Sequence, residues 1–299
     1  MPMEVLITGS SGMIGSALTR FLAGRGSNVR RLVRSGPEGS DLLWEPHHGR
    51  IELDNAGQID TVIHLAGENI ASGRWNKERK ARIADSRIDG TDLLSGALAR
   101  LPQRPKLLIS ASAVGYYGHN GDTIVDETHP RGSGFLAEVA GDWEAAAAPA
   151  IEAGVRVVFL RLGMVLSNSG GALGRMVSPF RCGLGGVIGS GRQYISWIAL
   201  DDVLGIVGKI INDPNISGPV NAVSPNAVSN REFTKTLGRV LARPTLARMP
   251  AFAARLLFGR MADELLLNSV RVAPSVLEKA GYQFRHPQLE EALRKILHR

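Results

Sequence analysis

Three evenly spaced glycines are the first residues here that could do chemistry. Residues 8–15 read TGSSGMIG, which places Gly9, Gly12 and Gly15 three apart. The apolar run EVLIT (4–8) precedes them, and Ile14, Leu18 and Leu22 follow at helical spacing. A strand, a glycine turn and a helix in that order form a phosphate cradle. The first glycine allows a tight turn, the second lets backbone approach a pyrophosphate, and the third lets helix and strand pack closely. The N–H groups around Ser11, Gly12, Met13, Ile14 and Gly15 then face the phosphates at the positive end of the helix dipole. The alternative is a glycine turn with no ligand.

The next strand, NVRRLVR (28–34), ends in Arg34 and Ser35 where an acidic residue would otherwise hydrogen-bond the ribose of NAD. A guanidinium there suits a 2′-phosphate, so the expectation is NADP(H) rather than NAD(H). The competing reading is a solvated surface arginine.

Two proton-transfer candidates, Tyr116 and Tyr117, lie in ISASAVGYYG (109–118). Ser110 and Ser112 end a strand, and Tyr116 and Tyr117 follow in the turn beyond it. Open α/β sheets bind their ligands beyond the carboxyl ends of the strands. The two tyrosines are therefore either acids or packing anchors. Arg87, in RIDGT, could depress a phenol pKa or bind an anionic substrate group. Arg161, in FLRLG, is expected to be buried and paired with a carboxylate such as Asp202. Glu138, Asp142 and Glu144 read as one solvated helix face. Trp197 reads as core, and Tyr194 as a wall near the substrate. The seven histidines lack ligand-like spacing, so no metal is expected.

The elements that must position these residues alternate. Strands are predicted at 4–8, 28–34, 60–66, 106–113 and 155–166, with a long amphipathic helix before the fourth and a Pro149-interrupted helix before the fifth. Near-continuous apolar strands separated by helices imply a buried parallel sheet covered on both faces. The predicted fold is thus α/β, a doubly wound parallel (Rossmann) sheet with a smaller, helix-rich C-terminal domain. The division is 1–166 for dinucleotide binding, completed by parts of 196–225, and 167–299 for the remainder. Glycine-rich stretches after residue 166 read as loops. Helices are expected in ALDDVLGIVGKIIND and over 230–241, and the last fifty residues are helix-rich with breaks at Pro250, Pro274 and Pro287.

Composition narrows the partners. The 299 residues carry a net charge of +7, yet the arginines are scattered and form no nucleic-acid arm. No apolar run reaches the roughly 18 residues of a membrane span. The single Cys182 suits a reducing compartment, and the amino terminus runs straight into strand and turn without a signal peptide. The expectation is a cytoplasmic protein acting on a small molecule, without nucleic-acid or membrane partners. Its helices ARIADSRIDGTDLL and GDWEAAAA could pair in a homodimer.

TGSSGMIG, VIHLAGE (62–68), RIDGTDLL, ISASAVGYYG and SWIALDDV (196–203) together resemble the extended short-chain dehydrogenase/reductase superfamily. FLAEVAGDWEAAA, RLGMVLS, GSGRQYISWI and MPAFAARLLFGRMADELLL resemble its epimerase family protein branch, which carries a C-terminal domain of unknown function. The resemblance spans nearly the whole chain. It implies that Leu65, Ala66, Gly67, Glu68, Ser110 and Gly163 also line the cofactor, with Met164 near the nicotinamide. It implies a catalytic set of Asn, Ser, Tyr and Lys, of which only Ser112 is kept. Arg87 stands at the Asn position, and Leu136 and Ala140 stand at the Tyr and Lys positions. Neither of the last two can transfer a proton. Two functions fit: an atypical NADP(H)-dependent reductase or nucleotide-sugar-epimerase-like enzyme, or a non-catalytic NADP(H) redox sensor acting through a protein partner.

Overall fold

The computed structural model describes residues 2–53 and 56–298. Its centre is an eight-stranded sheet: β1 (Glu4–Thr8), β2 (Asn28–Val33), β3 (Leu42–Glu45), β4 (Arg50–Ile51), β5 (Thr61–His64), β6 (Leu107–Ala113), β7 (Arg156–Leu162) and β8 (Gly218–Ala222). Their spatial order is β8-β7-β6-β5-β1-β2-β3-β4. Neighbours pair in parallel except the edge strand β4, which is antiparallel to β3. The order reverses at β1, which opens a crevice beyond the carboxyl ends of β1 and β5.

Period-two alternation decides which helix covers which face. Val5, Ile7, Ile63, Ile109, Val158 and Leu160 pack with Leu18 and Leu22 of α1 (Met13–Ala23) and Val203, Ile206 and Ile210 of α6 (Leu200–Asn212). Leu6, Val62, Leu108 and Val157 point the other way. They meet Leu94 and Leu98 of α2 (Lys77–Arg100) and Ala150 of α4 (Ala148–Glu152). Burial on both faces is why these strands read as unbroken apolar runs. Asn76 starts α2 by accepting from the Arg79 N–H at 2.7 Å.

Two sequence expectations change here. The fifth predicted strand is two. It breaks at Gly163, and Met164–Leu166 leaves the sheet to pair with Trp197–Ala199. A side chain at Gly163 would place its Cβ 2.7 Å from the Ser196 carbonyl oxygen and 2.9 Å from Val223, so the crossing strands demand glycine. The glycine-rich stretch after residue 166 holds a helix, α5 (Gly171–Arg181), with Pro179 in its last turn. Strand β3 is short and irregularly patterned, and carries no period-two signal strong enough to read.

Beyond the sheet, α3 (Phe135–Ala145) lies beside α2. A separate cluster joins Trp197, Phe233, Leu237 and Leu241 of α7 (Asn230–Leu241) to Leu289 and Leu293 of the terminal helix. The helices α8 (Ala251–Phe258), α9 (Ser275–Lys279) and α10 (Leu289–Leu297) complete the chain. Among the described residues no helix is long and apolar enough to cross a membrane.

Candidate functional site

The glycine turn has the build of an anion cradle. Gly9 has φ +66°, and a Cβ on it would lie 2.8 Å from the Leu65 carbonyl. A Cβ on Gly15 would come within 2.1 Å of the Gly9 oxygen. The Gly12 N–H closes the turn onto Gly9 O at 3.0 Å, and the first intrahelical bond runs from Ser16 N–H to Gly12 O at 2.9 Å. The N–H groups of Met13, Ile14 and Gly15 therefore precede the helical ladder, and no side chain caps them. Ser11 and Gly12 are exposed, so ligand can reach the turn.

The basic tail of β2 is sorted by partner. Arg30 donates to Gln58 O at 3.0 Å, and Arg31 is held by Asp41. Arg34 is exposed beside exposed Ser35, and makes no hydrogen bond or ion pair among the described residues. A free guanidinium thus stands just past β2, next in the sheet to β1 and its turn.

The loop after β5 is tied to β1. Thr8 Oγ accepts the N–H of Leu65 at 3.1 Å and of Ala66 at 3.2 Å. With its lone pairs so occupied, Thr8 donates its proton to His64 Nδ1 at 2.8 Å. His64 Nε2 then carries the ring proton and donates to Thr91 Oγ at 3.0 Å, which also accepts from Trp143 Nε1 at 2.9 Å. Burial pushes His64 down to about 4, so the imidazole is neutral. This chain runs from β1 through β5 and α2 to α3, and its Thr8 end holds the backbone of Leu65 and Ala66.

The carboxyl ends of β6, β7 and β8 hold a second network. Ser112 donates to Glu144 Oε1 at 2.6 Å. Arg161 grips both oxygens of the same carboxylate, from Nε at 2.8 Å and Nη2 at 2.7 Å. Arg161 Nη1 also donates to the Tyr117 hydroxyl at 2.9 Å, and that hydroxyl donates to Asn221 Oδ1 at 2.7 Å. Two expectations are corrected. Glu144 is no solvated face residue but the half-buried partner of buried Arg161. Asp202 is elsewhere, accepting the N–H of Arg285 at 2.7 Å and His286 at 3.0 Å. The pair joins residues 17 apart on different elements, which no local periodicity reveals.

The other singled-out residues fall as follows. Tyr117 is fully buried, and burial pushes its phenol up to about 12. Tyr116 is half-buried under the Arg161 guanidinium, 3.5 Å from its ring centre, and its hydroxyl has no partner among the described residues. Ser110 lies wholly buried within β6. Leu136 packs against Gly115, where a Cβ would stand 3.3 Å from the Leu136 Cβ, and Ala140 is buried. Trp197 is core, and Tyr194 is half-buried beneath Arg271. Arg87 reaches from α2 to Gly67, and its Nη1 donates to Ile83 O at 3.0 Å. Glu68 pairs with Arg79.

Glu264 is a residue that the reading of the sequence passes over. From the C-terminal region it accepts the N–H groups of Phe135 at 3.1 Å and Leu136 at 3.4 Å, and so caps α3. Its place before an apolar run gives no hint of a partner about 130 residues away.

This sheet order and turn define a doubly wound α/β protein of the short-chain dehydrogenase/reductase type. The chain belongs to the NAD dependent epimerase/dehydratase family, whose model matches residues 5–222, and a domain of unknown function matches 249–296. It is 48% identical over 290 residues to an epimerase family protein of Mycobacterium bovis, covering 97% of this chain and 96% of that one. It is 37% identical over 300 residues to epimerase family protein SDR39U1 of Homo sapiens, covering 99% and 100%. A crystal structure of human SDR39U1 (isoform 2) with NADPH superposes with a TM-score of 0.91 at 36% identity, covering 99% of both chains. The structure of a nucleoside-diphosphate sugar epimerase from Corynebacterium glutamicum gives 0.83 at 40% identity, with this chain spanning 58% of that one.

Proposed function

We propose that this chain binds NADP(H) and acts as an atypical reductase or epimerase-like enzyme on a small substrate. One observation carries the reading: an uncapped helix N-terminus in a glycine cradle lies one strand away from an arginine with no partner among the described residues. Ser11, Gly12, Met13, Ile14 and Gly15 would hold the diphosphate, with Gly9 shaping the turn. Arg34 and Ser35 would hold the 2′-phosphate. Leu65, Ala66, Gly67, Glu68, Ser110 and Gly163 would border the rest of the dinucleotide. The NADPH in the human SDR39U1 crystal structure supports the same cofactor here. Residues 1–166 with parts of 196–225 would form the cofactor domain, and 167–299 mainly the substrate domain.

When bound, the nicotinamide gives or takes a hydride. The chain's own residues then divide the remaining work. Tyr117 has its hydroxyl committed to Arg161 and Asn221, so it positions the strand ends rather than moving protons. Ser112 donates its hydroxyl hydrogen bond to Glu144 and can only accept from a substrate. Tyr116 has the free phenol and is assigned the proton transfer.

Purification followed by mass identification of any retained dinucleotide, then a screen of small carbonyl compounds for NADPH oxidation, tests this. Turnover that falls at least about tenfold in Tyr116→Phe and not in Tyr117→Phe supports it. Turnover indifferent to Tyr116 removes that assignment. The apolar Leu136 and Ala140 favour a second reading, a redox sensor. Tight NADPH binding with no turnover of any compound, and altered hydrogen exchange in 249–296, would support it.

A further inference from the structure

We infer that Arg87 forms an anion-binding subsite, so that the substrate carries a carboxylate or phosphate group. The inference rests on the cofactor reading above and extends it to the substrate's chemistry.

Apart from Arg34 beyond β2, three guanidiniums lie near the ends of β5 to β7, and two are paired with carboxylates. Arg161 is forked onto Glu144. Arg79 binds the Glu68 carboxylate, Asn69 O and Ser72 Oγ. Arg87 alone of the three has no carboxylate within 4.0 Å among the described residues. Its one side-chain hydrogen bond among the described residues is from Nη1 to Ile83 O, one turn back on its own helix. Yet it is half-buried, between the Trp143 ring at 5.1 Å and the backbone of Gly67. A Cβ on Gly67 would sit 3.3 Å from its Cζ and 3.4 Å from Nη2.

Charges withdrawn from water are ordinarily paired. Here the nearby Glu68 is already spent on Arg79, and the Arg79 charge works against Arg87. Burial brings Arg87 down to about 10, so it stays cationic at neutral pH. The cationic fork keeps its other N–H donors free of protein acceptors. That set matches the two oxygens of a carboxylate or phosphate. The site is distinct from the diphosphate cradle: it is carried by α2 and α3, not α1. It meets α3 at Trp143, on the helix that also carries Ala140 and Leu136, whose side chains offer no polar group.

The test uses the full chain saturated with NADP+, and the probes malonate, inorganic phosphate and neutral malonamide. Tryptophan fluorescence gives the readout, because Arg87 lies on Trp143. Saturable binding of malonate or phosphate, absent for malonamide, is expected. Arg87→Gln should weaken it at least about tenfold and Arg87→Lys less. NADPH affinity should stay within about threefold in both variants. Because Arg87 lacks a partner, Arg87→Gln should hold or raise the melting temperature, as a structural arginine would not. Anion binding unchanged in Arg87→Gln, or none in the wild type, overturns the inference. So does a tenfold loss of NADPH affinity in Arg87→Gln with anion binding intact, which would give the cation to the cofactor. Failure of wild-type NADPH binding sinks the cofactor reading instead, and the same anion titration on the free protein still reads Arg87.

Discussion

Two single residues carry predictions, Arg34 for the choice of cofactor and His64 for the response to pH. Arg34 is the one arginine at the end of β2 without a partner among the described residues, because Asp41 and Glu38 engage Arg31 and Gln58 engages Arg30. Arg34→Ala should weaken NADPH by about tenfold or more and leave NADH within about twofold, read by fluorescence titration. His64 behaves differently. Its folded pKa, about 4, lies below the ordinary 6.5. The unfolded chain therefore binds the proton first. Stability is full above pH 6.5 and falls as pH drops toward 4, by on the order of 3 kcal/mol. Denaturant unfolding at pH 7.5 and 4.5 should show this slope, and His64→Gln should reduce it.

At the scale of elements, contacts between strand ends matter more than any one turn. Glu144→Gln leaves the Arg161 charge buried and uncompensated, and should cost about 3 to 5 kcal/mol in unfolding free energy. A double variant Glu144→Gln, Arg161→Met should recover part of it. Gly9→Ala forces φ +66° on a side chain and drives its Cβ toward the Leu65 carbonyl. It should lower stability by at least about 2 kcal/mol, measured by thermal unfolding, and weaken NADPH binding with it.

What the sequence made legible follows this division. The glycine cradle, Arg34 and the apolar strands are local patterns, and each appears where its spacing placed it. Gly163 was visible as a glycine but not as a break, because the demand for it comes from Ser196 and Val223. The Glu144–Arg161 fork and the Thr8–His64–Thr91–Trp143 chain join side chains from separate elements, so only the fold brings them together. Glu144 misled for a related reason: its neighbours Glu138 and Asp142 are indeed exposed.

Across the whole molecule, the region matching the domain of unknown function is tied to the rest of the chain at several points. Glu264 caps α3, Asp202 holds Arg285 and His286, and Leu289 and Leu293 of α10 complete the cluster around Trp197. Removing residues 286–299 uncovers Phe233 and Leu237, and should cost on the order of 5 kcal/mol, seen as early melting and dye binding. The account's central claim is that the cradle and Arg34 together select a 2′-phosphorylated dinucleotide. Calorimetric titration of the full chain with NADPH and NADH tests it most directly. NADPH binding at one site, at least about tenfold tighter than NADH, is the predicted result; equal affinities, or no heat from NADPH, would contradict it.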